Sequence, residues 1–485
     1  MDSGIKRYMK KILLVFCLLL PGVKIFAQQF SQYNTGTLYD SFENPSQKAF
    51  ITDTSKKFAS NFLVPNFNLS LLLKGDAQST LKTRFILNRY DNSLLKIDQG
   101  SNNHVIGNVN VYFIMLKMFA SLDGDEEIGF SAQTRLEGKG LIPDDAIAAL
   151  NGGGSFANNV DYNNIFNGNY YYQMYHQFSL TYKEKINKQF SFGVKLSMLL
   201  GLQYQKLNVV SSSALYDNIN QIGNIALHGT YNASFIPGNT FKAPDFLPTF
   251  RNPGAAISLG TSYKTRDGFI LQANIKDLGF IHWSSHSKTY QFDNSAQLIG
   301  LGSPKREDST YNKVYNIVHT NGVQGSFTTP VDGRFELSAS KSIWLDDDYR
   351  FKYSPTLVLS KELFYNGFIA ALVNPVQYKN YVVTLTATYD ELHTFNLGTQ
   401  FMIKSPNFEI FAGSDKIAQT AGMLTLNKTS AQLSQNSAST GLDFFFGVAL
   451  KFGPVIEHPM NASVIPMGAK GFFARLYGRL FKTYN

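Results

Sequence analysis

At 485 residues the chain has the length of roughly two or three soluble domains, yet no Pro/Ser-rich linker and no shift in composition marks a boundary. Charged residues make up only 16%, below the roughly 25% of ordinary soluble domains, while Phe and Tyr number 40 and 26. A net charge of +9 without any Lys/Arg run argues against nucleic acid as a partner. After the N-terminus no apolar run approaches about 18 residues, so no spanning helix is expected there.

Lys6, Arg7, Lys10 and Lys11 precede an apolar core from Ile12 to Leu20, and Ala27-Gln28 reads as a cleavage site. Residues 1–27 are therefore expected to be an export signal. Pro21, Gly22 and Lys24 make the run too short for an anchor, and bulky Phe16 before Cys17 argues against a lipoprotein. Cleavage removes the single cysteine, so no disulfide braces the mature protein.

Residues 28–57 are irregular, with Asn44-Pro45 favouring a turn. Residues 58–74 alternate loosely around Pro65, which marks a bend or edge, and Leu81 to Leu95 could be a helix or loop within the fold. From Val105 the alternation becomes strict. Ile128, Phe130, Ala132 and Thr134 oppose Gly129, Ser131, Gln133 and Arg135. After an excursion with a helical turn over 143–150, a tyrosine cluster (Tyr170, Tyr171, Tyr172, Tyr175) opens the next strand, suited to the level where lipid meets water. The same grammar recurs at 178–198, 257–275, 335–339 (after an expected turn at Pro330-Val331-Asp332-Gly333), 383–403, 408–410 and 444–452. Its clearest case is the hairpin Tyr381–Lys404, where Val383, Leu385 and Ala387 alternate with Thr384, Thr386 and Thr388. Successive strand side chains point to opposite faces, so each ribbon has one apolar face and one polar face.

Short turns at 123–126, 184–188, 265–268 and 390–393 contrast with long connections near 139–172, 207–221, 290–316 and 414–439, as in membrane barrels. The proline-rich stretch 235–253 breaks that pattern where a short turn is expected. The fold class is therefore all-β: a transmembrane antiparallel β-barrel of about 14 strands over 58–453. Residues 28–57 and the tail 454–485 lie outside the strands. In the tail Phe472, Phe473, Leu476, Tyr477, Leu480 and Phe481 share one helical face, a candidate membrane or partner surface.

The exported start, Asn44-Pro45, the segment Asn252-Pro253-Gly254 through Lys276-Asp277-Leu278-Gly279-Phe280, and Phe408-Glu409-Ile410-Phe411-Ala412-Gly413-Ser414 resemble Bacteroidota outer-membrane barrels. Those are similar to the FadL fatty-acid channel family and to PorV, the shuttle barrel of type IX secretion. The resemblance implies a 14-stranded outer-membrane barrel with Asn44 and Pro45 in an internal hatch.

Among eight histidines only His282 and His286 are close, and no carboxylate or cysteine accompanies them as a metal site would need. Asp346-Asp347-Asp348 lacks the alternation and glycine of a calcium loop. No nucleophile elbow or phosphate loop occurs. The expectation is a non-enzyme without catalytic residues, metal or cofactor. Its expected partners are outer-membrane lipid, the barrel-assembly machinery, and a protein held by long loops or the C-terminal tail. Three functions compete: a channel or carrier for a small hydrophobic or polar molecule, a secretion-associated or structural barrel, and a soluble exported β-sandwich.

Overall fold

The computed structural model describes residues 30–47, 56–87, 89–121, 124–236, 242–365, 367–424 and 440–455, with Gly471 and Arg475 beyond them. The export signal over 1–27 and the apolar tail face, Phe472 to Phe481, lie outside the described residues.

Alternation builds a closed wall of fourteen staves. Lys56–Ser60 and Asn66–Lys74 make the first. Around it run Asn102–Phe119, Glu126–Pro143, Gly168–Lys185, Phe190–Asp217, Pro253–Lys264, Phe269–Trp283 and Arg334–Lys341. Thr356–Glu362, Phe368–Tyr378, Tyr381–Asp390, Phe395–Lys404, Phe408–Ser414 and Thr440–Val455 complete it. Each is antiparallel to the next. The last stave pairs back on the first, from Phe67 opposite Phe446 to Leu73 opposite Thr440, so the wall has no free edge.

The wall is inside out relative to a soluble domain. Val383 and Leu385 are each 46% exposed, while Thr384, Thr386 and Thr388 are at most 2% exposed. Leu180, Leu196, Met198, Leu271, Leu337, Leu357, Leu397, Phe401 and Phe444 continue the exposed apolar belt around the outside. Contiguous apolar surface on that scale is stable against acyl chains and not against water. Among the described residues no second layer of protein covers the belt, and the sheet closes on itself, so the membrane barrel replaces the sandwich reading.

One end carries short turns at 186–189, 265–268 and 379–380 together with the longer excursion 342–355; the other carries the remaining long connections. At this loop end the 28-residue strand Phe190–Asp217 rises past the wall. Its upper part pairs with Ile222–Ala233, which pairs with Lys288–Ile299. Helices Asp144–Leu150 and Arg306–Val318 complete a cap whose own core includes Phe156, Tyr216, Phe292, Leu298 and Ile317. Helix Gln78–Leu87 lies at the same end, and Arg84 ties it to Glu307 of the cap at 2.6 Å.

Four local expectations are corrected. The stretch 235–253 is no turn: Ile222–Ala233 and Pro253–Lys264 both pair antiparallel to Phe190–Asp217, so the chain descends beside one long strand and loops out between. The turn 390–393 belongs to the loop end, so short turns alone do not define the side. Pro330-Val331-Asp332-Gly333 is likewise no hairpin turn: Phe327–Pro330 and Arg334–Lys341 pair with the same strand, Phe269–Trp283, and Val331–Gly333 interrupt one descending stave. In the tyrosine cluster, Tyr171 and Tyr175 share one strand face and it is the inward one, away from the lipid–water level. Tyr171 lines the lumen, stacked on Tyr365 at 4.7 Å, and buried Tyr175 donates to Glu137 Oε1.

Candidate functional site

The lumen is crossed by residues 30–47, which include the short helix Leu38–Glu43 with Thr37 as its N-cap. Polar wall residues hold this hatch from every side. Gln32 Nε2 donates to Gln400 Oε1 at 2.7 Å, and the Leu38 N–H donates to Glu409 Oε2 at 2.9 Å. Lys404 Nζ donates to the carbonyls of Thr35 and Gly36. Tyr112 OH and Asn110 Nδ2 donate to Glu43 Oε1 at 2.6 and 3.2 Å. At the start of the hatch, Ser31 Oγ donates to Asp415 and pairs with Thr386 Oγ1.

Asn44 is buried; its side-chain oxygen accepts from Asn274 Nδ2 at 3.0 Å and its carbonyl from Lys183 Nζ at 3.2 Å. Pro45 rests where two glycines face each other across paired staves, Gly193 opposite Gly260. A Cβ on Gly193 would stand 2.0 Å from the Pro45 carbonyl oxygen, and one on Gly260 would stand 2.5 Å from the Ser46 nitrogen. Only glycine lets the hatch backbone approach the wall this closely. The structure thus brings Asn44 and Pro45 into one seat.

The hatch separates two cavities. The one toward the short-turn end encloses about 320 Å³, with Ser340, Lys352, Gln377 and Lys404 in its lining. The one toward the loop end encloses about 150 Å³ between hatch residues Tyr33, Asp40 and Glu43 and a ring of charged wall residues.

That ring went unseen in the sequence. Arg135 bonds Asp277 at 2.6 Å and lies 3.4 Å from Glu137; Lys195 Nζ is 3.0 Å from Asp277. Lys276 pairs with Glu336 at 2.7 Å, Lys139 with Glu362, and Arg334 with Asp332. Two breaks in regular strand aim these groups inward. At Asp277 the register against Pro253–Lys264 shifts and the backbone turns left-handed, φ 47°. The neighbouring stave is broken at Val331–Gly333. Bulges of this kind re-aim side chains and recur beside functional sites. A signal was present, since Asp277-Leu278-Gly279 and Val331-Asp332-Gly333 place turn residues inside apolar alternation. Through the loop-end cavity carboxylates outnumber cations eight to five.

His282 pairs with Thr328 Oγ1 at 3.2 Å and His286 packs on Phe235, so the histidine pair forms no joint site. Asp346 accepts the backbone N–H groups of Arg350 and Phe351, as a turn residue does. Among the described residues no group of three or more His, Cys, Asp or Glu side chains could hold a metal ion.

An edgeless wall with an apolar belt outside, a polar lumen and an internal plug defines a membrane β-barrel of the outer-membrane type. The chain belongs to DUF5723, a family of unknown function, whose model matches residues 50–415. No curated protein matches it. Similar solved structures are FadL-family barrels. A Pseudomonas aeruginosa FadL homologue is 13% identical, with 89% of this chain and 99% of that one covered and a TM-score of 0.41. The P. putida toluene transporter TodX is 7% identical, with 89% and 96% covered and a TM-score of 0.38. The barrel assignment rests on strand pairing and the exposed belt.

Proposed function

We propose that this protein is an outer-membrane transporter for a small polar molecule, in which residues 30–47 are the gate between two lumenal chambers. The observation that carries the reading is the hatch itself: a segment docked on most of the wall through side chains, with a cavity on either side. Two kinds of contact dock it: the hydrogen bonds with Gln400, Glu409 and Lys404, and the packing of Leu38, Tyr39 and Phe42 against Tyr112, Met402 and Phe411. The charged lining favours a polar solute over a hydrocarbon, because each ion pair would lose water without gaining a partner. A secretion-associated role through the loops draws support only from the cap.

Liposome swelling tests the gate. Deleting residues 30–47, or replacing Gly193 by Leu so that Pro45 loses its seat, should raise uptake of a small polar solute at least tenfold while the barrel stays heat-modifiable on gels. Unchanged uptake in both folded variants overturns the reading.

A further inference from the structure

Within the loop-end chamber Arg334 and Asp332 are paired with each other, yet neither is satisfied. The Arg334 guanidinium gives Nη2 to Asp332 Oδ2, leaving Nε and Nη1 without a partner among the described residues. Asp332 Oδ1 also lacks one. Both side chains are more than nine-tenths buried and both residues line the cavity; the unmet atoms themselves are closed to water, so a ligand meets them once the two side chains turn toward it. Buried donors and acceptors of this strength are costly to leave unmet, more so when charged.

The two needs are opposite in sign and lie side by side. A lone anion would answer Arg334 and repel Asp332; a lone cation would do the reverse. A ligand carrying a carboxylate and an ammonium a few ångströms apart answers both through charge-assisted hydrogen bonds. The surroundings add two preferences. The surplus of carboxylates in the lining favours extra positive charge. Tyr171, fixed by its stack on Tyr365 and with the Lys139 ammonium 5.9 Å from the Tyr365 ring, offers a flat apolar surface for methylene groups.

We propose that this chamber is a binding site for a small α-amino acid, with Arg334 receiving the carboxylate, Asp332 the ammonium, and basic side chains preferred. The proposal rests on the transporter reading for its purpose, since it names the solute class of the same chamber, but not for its test.

Titration calorimetry on the full-length protein in detergent requires no transport. L-lysine should bind with one site per chain, more tightly than L-alanine, and at least tenfold more tightly than butylamine or butyrate, which each carry one of the two charges. Asp332→Asn and Arg334→Gln, checked for heat-modifiability, should each weaken L-lysine at least tenfold. Arg350→Gln, in the exposed turn at the opposite end, should change nothing. Wild-type protein that binds no amino acid, or binds butylamine or butyrate as well as L-lysine, overturns the proposal with or without the variants. So does unchanged affinity in both folded variants. A binding failure beside a working gate rejects the site alone, whereas binding beside an unchanged hatch-deletion flux rejects the transporter reading alone.

Discussion

The stretch of wall from Thr356 to Ser414 and the stretch from Phe269 to Lys341 are built from the same kind of strand and do different work. In the first, hairpin follows hairpin in unbroken register; Tyr381 to Tyr389 face Ile403 to Phe395 pair by pair. Its inward side carries a run of small or neutral groups, Thr384, Thr386, Thr388, Asn396 and Gln400, with Glu362, Asp390 and Glu409 spaced around them. In the second, Asp277 bulges and Val331–Gly333 interrupt the stave, and there the Arg135–Asp277, Lys195–Asp277 and Arg334–Asp332 pairs gather. Regular alternation makes a wall that resists lipid. Departures from it cost ladder hydrogen bonds, and they persist where a group must be aimed.

The comparison is broken most severely at Asp277. Replacing it with Ala leaves Arg135 and Lys195 buried without their shared carboxylate, a loss of about 3–5 kcal/mol for a buried pair deprived of one partner. Heat-modifiability midpoints should fall steeply, or the barrel should fail to assemble. In the regular stretch, Thr384→Val removes an equally buried hydroxyl that makes no hydrogen bond among the described residues, so stability should move by no more than about 0.5 kcal/mol. Similar losses at the two positions would erase the distinction.

The outer face of the regular stretch has its own vulnerability. Leu385 sits midway along its strand with its side chain toward the acyl chains. Leu385→Arg should cost about 2–4 kcal/mol if that level is the bilayer midplane, measured by reversible unfolding into urea from liposomes. A cost near zero would place Leu385 at the headgroups or outside the membrane.

What could be read from the chain follows the same division. Where period-2 alternation is unbroken, as at Val383 to Ile403, the face of each residue was legible from spacing alone, and so was the closed barrel that many such ribbons build. The cap was not: Tyr216, Phe292 and Ile317 meet only after three distant excursions converge, and no local period encodes that. The charged ring was hidden for a related reason. Arg135, Asp277 and Asp332 lie on three separate staves, each reading singly as a polar residue on a wet face. Asn44-Pro45 was visible as a turn, but its seat depends on Gly193 and Gly260 lying in register, a property of strand pairing and not of sequence distance.

The hatch sharpens the comparison through pH, with a smaller effect. Burial lifts the Asp40 carboxyl to about 6, against the pull of the Gly36 N–H and of Lys183, Lys276 and Lys404. Burial, and then the nearby Asp443 carboxylate, lift Asp415 to about 8. Both groups hold a proton when the hatch is docked at pH values where an exposed carboxyl has lost it. A raised carboxyl pKa therefore favours the docked form fully below about pH 4, and that advantage drains away as pH climbs through 6 for Asp40 and 8 for Asp415. Hydrogen-exchange protection of residues 30–47, corrected for intrinsic exchange, should fall severalfold between pH 5.5 and 8.5, while protection of Tyr381–Lys404 stays constant. Asp40→Asn with Asp415→Asn should flatten the dependence, because an amide keeps the hydrogen bonds and cannot ionise. A pH profile identical in wild type and double variant would mean that neither carboxyl reports on docking, and that the hatch is held by its neutral contacts alone.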